Sequence, residues 1–248
     1  MQDDTNIGGA ASHFPATQFS VIAAIRHPEE EVRQRAWASL VELYWKPVYK
    51  YLRIKWKKSN EDAKDMTQAF FLRAMEKNFF DRYESQKSRF RTFLRMCVDR
   101  FASNEEKSAA AVKRGGAGFF ISLDFSAADQ ELANLTTAEA PDQLFEQEWI
   151  RNFFTVCLEA FRCDCEAHAK NLHYRLFEKY DVDPDPDHPP SYADLAAEFS
   201  IKTSDVTNYL SFARREFRKI VLVKLRETTS DEEEFRLEAR TLLGSKFE

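Results

Sequence analysis

The sequence predicts an all-α protein: two small helical domains joined by a flexible linker. Apolar residues recur at steps of three and four through each long segment, the spacing of one buried helix face. No stretch in the first half sustains the alternation of a half-buried strand. Residues 108–140 are rich in glycine and small polar residues, and they interrupt the helical pattern. The expected organisation is a disordered N-terminus at 1–13, a first domain at 14–107, the linker at 108–140, a second domain at 141–226 and an acidic, helical tail at 227–248.

In chain order, residues 17–26 read as a short amphipathic helix ended by Pro28. Residues 29–44 form a longer one, with Val32, Ala36, Leu40 and Leu43 on its inner face. Pro47 is placed to open a new helical segment, since proline is tolerated in a first turn. Val48, Tyr51 and Leu52 continue its apolar face, and Trp37, Trp45 and Trp56 read as core or rim aromatics.

Residues 60–104 are the centre of the chain: a helix, a polar loop and a second helix. Asn60 reads as the cap of the first helix, with Glu61 and Asp62 in the first turn, where the macrodipole favours negative charge. Ala63, Met66, Phe70 and Ala74 form its buried stripe, which leaves Glu61, Asp65, Gln68 and Leu72 to meet a partner. In the second helix Phe90, Phe93, Leu94, Cys97, Val98 and Phe101 make an apolar seam, with Arg91 and Arg95 to one side. The loop mixes Arg82, Tyr83, Lys87, Arg89 and Phe90. Cations for phosphates and flat rings for unstacked bases suit single-stranded nucleic acid.

Helices resume near Asp142, where Leu144, Phe145, Trp149, Ile150, Phe153, Phe154, Cys157 and Phe161 form a heavily apolar face. Residues 171–180 are helical and end at the prolines of DVDPDPDHPP. Its alternating aspartates lack the glycine and glutamate of a calcium loop. Cys163, Cys165 and His168, with Cys157 and His173 as the nearest further candidates, all fall within a helical stretch, which does not easily arrange a tetrahedral zinc site. Gly115, Gly116 and Gly118 lack the lysine and hydroxyl pair of a phosphate loop.

Residues 191–219 form the second strong motif. Ser191 caps a short helix with Asp194 as its acidic partner. A turn at 200–203 follows, and Thr203 or Ser204 caps a longer helix. Leu195, Ala196, Phe199, Ile201, Val206, Leu210 and Ala213 fall where the helices of a helix-turn-helix pack together. Thr203, Ser204, Thr207, Asn208, Ser211, Arg214, Arg215 and Arg218 then point outward, as groups that bond base edges and phosphates.

The 248 residues carry a net charge of −5, but the charge is unevenly spread. Residues 46–114 hold 18 basic against 9 acidic residues, 115–165 hold 2 against 9, and 202–226 hold 7 against 2. Two basic blocks around an acidic one suit two contact points on nucleic acid. No apolar run is long enough to cross a membrane, and the first residues lack the form of a signal peptide. A cytoplasmic protein with free thiols is therefore expected.

These parts, in this order, resemble bacterial RNA polymerase sigma factors of the extracytoplasmic-function type. DAKDMTQAFFLRAME at 62–76 is similar to the family's core-polymerase-binding helix, with Asp65 and Gln68 at its polar positions. SRFRTFLRMCVDRFASN at 88–104 resembles the helix after the promoter-melting loop. YADLAAEFSIKTSDVTNYLSFARREFRK at 192–219 resembles the promoter-reading helix-turn-helix, and KRGG and SLD resemble a subgroup with a long interdomain insert.

The resemblance implies core polymerase contact through Glu61, Asp65, Gln68 and Leu72. It implies single-strand contact through Tyr83, Ser85, Gln86, Lys87, Ser88, Arg89, Phe90, Arg91 and Arg95, and duplex contact through the outward set above. Core polymerase, promoter DNA and an anti-sigma factor are the partners it implies. No catalysis, cofactor, metal, membrane or small-molecule substrate is expected. Ser200 stands where the family's turn usually has glycine, so a strained or differently shaped turn is expected there. The alternative is a free-standing helix-turn-helix regulator that never touches polymerase.

Overall fold

The computed structural model describes residues 20–108, 123–133 and 140–244. Among these residues every regular element is helical. The region expected to be a disordered N-terminus, and most of the expected linker, lie outside them.

α1 (Val21–Ala24) is one turn capped by Ser20, whose side chain accepts from Ala23 N–H. α2 (Glu30–Lys55) is a single helix with Pro47 inside it, not a helix followed by a second segment. Proline removes one backbone donor and normally breaks a helix interior. Here burial outweighs that cost: Val48, Tyr49, Tyr51 and Leu52, just past the proline, are wholly inaccessible. α3 (Asn60–Glu76) is capped by Ser59, one residue earlier than expected. Asn60 is diverted to tertiary contacts: its Nδ2 donates to Asp129 at 3.2 Å, and its Oδ1 lies 2.9 Å from the Tyr49 hydroxyl. The expected stripe is buried at Ala63, Phe70 and Ala74, joined by Phe71 and by Thr67, whose hydroxyl donates to the Ala63 carbonyl at 2.7 Å.

A 3-10 turn (Phe79–Arg82) leads to α4 (Phe90–Ser108), whose seam is buried at Phe90, Leu94, Cys97, Val98 and Phe101 and half-buried at Phe93. Within the stretch expected as linker, residues 125–133 form α5 (Phe125–Ala133). It is pinned to α2 by Phe125, edge-on to Trp45 and Tyr49 at 5.2 Å each, and by Glu131, which accepts from Lys46 and Lys50 at 2.9 and 2.8 Å.

α6 (Pro141–Ala167) opens with proline at its first position, and α9 (Thr203–Thr228) is nearly as long. Between them lie α7 (Asn171–Phe177), a π-turn (Glu178–Val182) and α8 (Tyr192–Glu198). α10 (Glu232–Leu243), capped by Asp231, ends the described chain. Of the acidic segment expected to be helical, Glu227 and Thr228 end α9, Glu232–Leu243 form α10, and residues 245–248 lie outside the described ones.

The buried residues fall into two clusters. The larger gathers α1 to α5 with Phe145, Trp149, Phe153 and Cys157 of α6, Val221 and Leu225 of α9, and Phe235 and Ala239 of α10. The smaller joins Phe161 and Cys165 of α6 to Leu176, Phe177, Leu195, Ala196, Val206, Leu210 and Ala213. α6 and α9 thus line both. No helix among the described residues is long and apolar enough to cross a membrane.

Candidate nucleic-acid interface

The helix-turn-helix is assembled as its sequence dictates. Ser191 Oγ accepts from Asp194 N–H at 3.2 Å, and Asp194 accepts from Ser191 N–H at 2.8 Å, closing a reciprocal cap. The turn is tied by Ile201 N–H, which donates to the Ala196 carbonyl at 3.0 Å. α9 starts one residue earlier than a Thr203 cap implies, with Asp205 accepting from Lys202 N–H at 3.3 Å. Leu195, Val206, Leu210 and Ala213 are inaccessible between α8 and α9, with Phe199 and Ile201 packed at their edge.

That packing sets the opposite face of α9. Thr203, Ser204, Thr207, Asn208, Ser211, Arg214, Arg215 and Arg218 are all exposed. Several are already engaged. Arg214 donates through Nε and Nη2 to Asp181, both at 2.9 Å, and that pairing holds its pKa above the ordinary arginine value. Arg215 Nε donates to Glu216 at 3.1 Å, and Thr207 Oγ1 donates to the Thr203 carbonyl at 3.2 Å.

Ser200 has φ of +55°, in the left-handed region that favours glycine. Ser200→Gly is expected to raise the stability of the chain by about 0.5–1 kcal/mol, because relief of the side-chain clash exceeds the added freedom of the unfolded glycine. A shift in denaturation midpoint checks it; a lower midpoint would show that the turn is unstrained.

On α3, Glu61, Asp65 and Gln68 are exposed and Leu72 is half-buried. Lys64 donates to Glu61 at 2.8 Å.

The loop and the start of α4 differ from the open surface expected of them. Gln86 and Lys87 are exposed, while Ser85, Ser88, Arg89 and Arg95 are half-buried. Tyr83 and Phe90 are buried, edge to face with ring centroids 5.0 Å apart. Arg91 is only 3% exposed, its guanidinium 4.5 Å from the Trp149 ring centre. The cover comes from two acidic helices. From α6, Glu146 pairs with Arg91 and Asp142 with Arg95. From α10, Glu238 reaches Arg89 at 3.2 Å and Arg91 at 2.6 Å. Glu234 accepts from the Tyr83 hydroxyl at 2.9 Å and from Phe90 N–H at 3.3 Å.

The electrostatics follow from this cover. Burial first, and then the Glu234 carboxylate, hold the Tyr83 phenol well above its ordinary pKa. Burial alone would lower the pKa of Arg91; Glu238 and Glu146 more than offset it and raise it.

Reading α4 alone marks Arg91 and Arg95 as a free flank, because the helices that cover them lie far away in sequence. Asp142, Glu146, Trp149, Glu234 and Glu238 were therefore missed. The available signal was the charge distribution, with acidic segments facing a strongly basic block, and the four-residue spacing of Glu234 and Glu238 beside Phe235 and Ala239.

Cys157 and Cys165 are buried, which pushes their thiols up to about 12 and about 11, while Cys163 is exposed. Among the described residues no group of three histidine, cysteine or acidic side chains is placed to hold a metal ion.

Comparison with protein-family models, with curated proteins and with solved structures finds no match to this chain.

Proposed function

We propose that this chain is a sigma factor: it binds core RNA polymerase in the cytoplasm and directs it to promoter DNA, with the polymerase supplying the chemistry. One observation carries the reading. A capped helix-turn-helix holds eight hydrogen-bonding and cationic side chains of α9 together on an exposed face. That array suits a major groove, where side-chain donors and acceptors meet base edges while arginines meet phosphate. On this reading residues 14–107 and 141–226 are two functional units connected by 108–140. The first meets the polymerase through α3 and the melted strand through the loop before α4. The exposed Asp65 and Gln68 support a protein contact on α3.

The test is capture of core RNA polymerase by the full chain, followed by run-off transcription on genomic fragments. Capture with promoter-specific transcripts is the expected result. Duplex binding without capture favours a free-standing regulator instead. Asp65→Ala with Gln68→Ala is expected to weaken core binding about tenfold, as loss of a contact worth ~1.4 kcal/mol would, with helicity unchanged. Unaltered core affinity would remove α3 from the interface.

A further inference from the structure

α10 covers the nucleic-acid-like side of α4 with carboxylates. Glu234 and Glu238 are four residues apart and so share one helix face. Both are buried, at 8% and 2% exposure. Between them they engage the Tyr83 hydroxyl, Phe90 N–H, and the Arg89 and Arg91 guanidiniums. These are the kinds of group a single strand would use: cations for phosphate, and a phenol and an amide for polar edges. A carboxylate is the protein group that most nearly matches phosphate oxygens as an acceptor from arginine.

We infer that α10 is an intramolecular competitor that occupies the single-strand surface of Tyr83, Arg89, Phe90 and Arg91 until nucleic acid displaces it. The inference rests on the reading that this loop meets melted DNA. Three features make α10 releasable. Its fully buried apolar side chains are Phe235 and Ala239, with Leu242 and Leu243 half-buried against the same cluster, while Leu237 is 49% exposed. It joins α9 through residues 229–231 alone, so it can leave without unwinding α9. Its polar grip on Arg89 and Arg91 is ionic, and charged single strands contest that kind of contact directly.

A surface closed in 90–99% of molecules lowers apparent affinity about ten- to hundredfold. The full chain and its Glu234→Gln, Glu238→Gln variant are titrated with a labelled single strand of about twenty nucleotides at low salt, long enough to span the surface. The variant is expected to bind at least about tenfold tighter, and adding Arg89→Ala and Arg91→Ala to it should abolish the gain.

Because the variant removes one of the two carboxylates paired with the buried Arg91 and can lose stability, hydrogen exchange is also followed in the unaltered chain. Saturating single strand should speed exchange across residues 232–243, since a helix of that length has little stability alone, and leave α8 unchanged. Binding with α10 still protected overturns the inference and leaves the sigma reading standing. Equal affinity of a folded variant and the parent does the same. No single-strand binding by a variant whose α10 exchanges freely overturns the reading of the loop itself, and the inference with it.

Discussion

Trp149→Ala is expected to destabilise the folded chain by about 3–5 kcal/mol, the range for deleting a buried tryptophan. Trp149 is 1% exposed. Its ring stacks on Phe153 at 5.3 Å, lies 6.2 Å from the Tyr44 ring, and faces the Arg91 guanidinium at 4.5 Å. Alanine would leave a cavity between α2, α4 and α6 and strip the aromatic face from a buried cation. Glu146 and Glu238 would still pair with Arg91, so the loss is one of packing more than of charge. Trp149→Phe should recover most of the deficit. Phe154→Ala, on a half-buried neighbour, should cost less, about 1–2 kcal/mol. Urea denaturation with an unchanged slope would measure all three. A loss below about 1 kcal/mol for Trp149→Ala would mean that α6 does not lie across α2 as described.

Arg214→Ala with Arg215→Ala is expected to weaken binding to a responsive duplex by about 2–4 kcal/mol, roughly thirty- to a thousandfold. Both guanidiniums stand on the exposed face of α9. Loss of a base contact should relax sequence preference, whereas loss of a phosphate contact should lower the salt slope by about one. The structure adds a sign test. Arg214 is held by both of its hydrogen bonds to Asp181, so DNA must compete with that carboxylate. Asp181→Asn should therefore tighten binding, though no more than about fivefold, since an exposed pair is worth ~1 kcal/mol at most. Fluorescence anisotropy across a salt series reads both effects. An unchanged affinity and slope in the double variant would remove this face from DNA recognition.

What the sequence made legible was local. Helical spacing located the α3 stripe, the α4 seam and the apolar contacts of the helix-turn-helix, because each is set by residues close together in the sequence. The left-handed turn at Ser200 was legible from a single unusual residue. Pro47 was misread because its local penalty is offset by burial that only the partners of α2 provide. The surroundings of Arg91 were missed for the same reason: Trp149, Glu146 and Glu238 lie 55 to 147 positions further along the chain, and no local pattern encodes such a meeting.

The two long helices have a consequence for dissecting the molecule. A chain stopped after residue 107 would keep α2 and α4 but lose Phe145, Trp149, Phe153, Val221 and Leu225 from the same cluster. Tyr44 and Tyr51 would lose the rings of Trp149 and Phe145, and Arg91 would lose both of its carboxylates. The complementary piece would carry the apolar flanks of α6 and α9 uncovered, an invitation to self-association. Fragments cut at the glycine-rich stretch are thus poor surrogates for the whole, and melting should be read as one event: the rods that brace one cluster are the rods that brace the other.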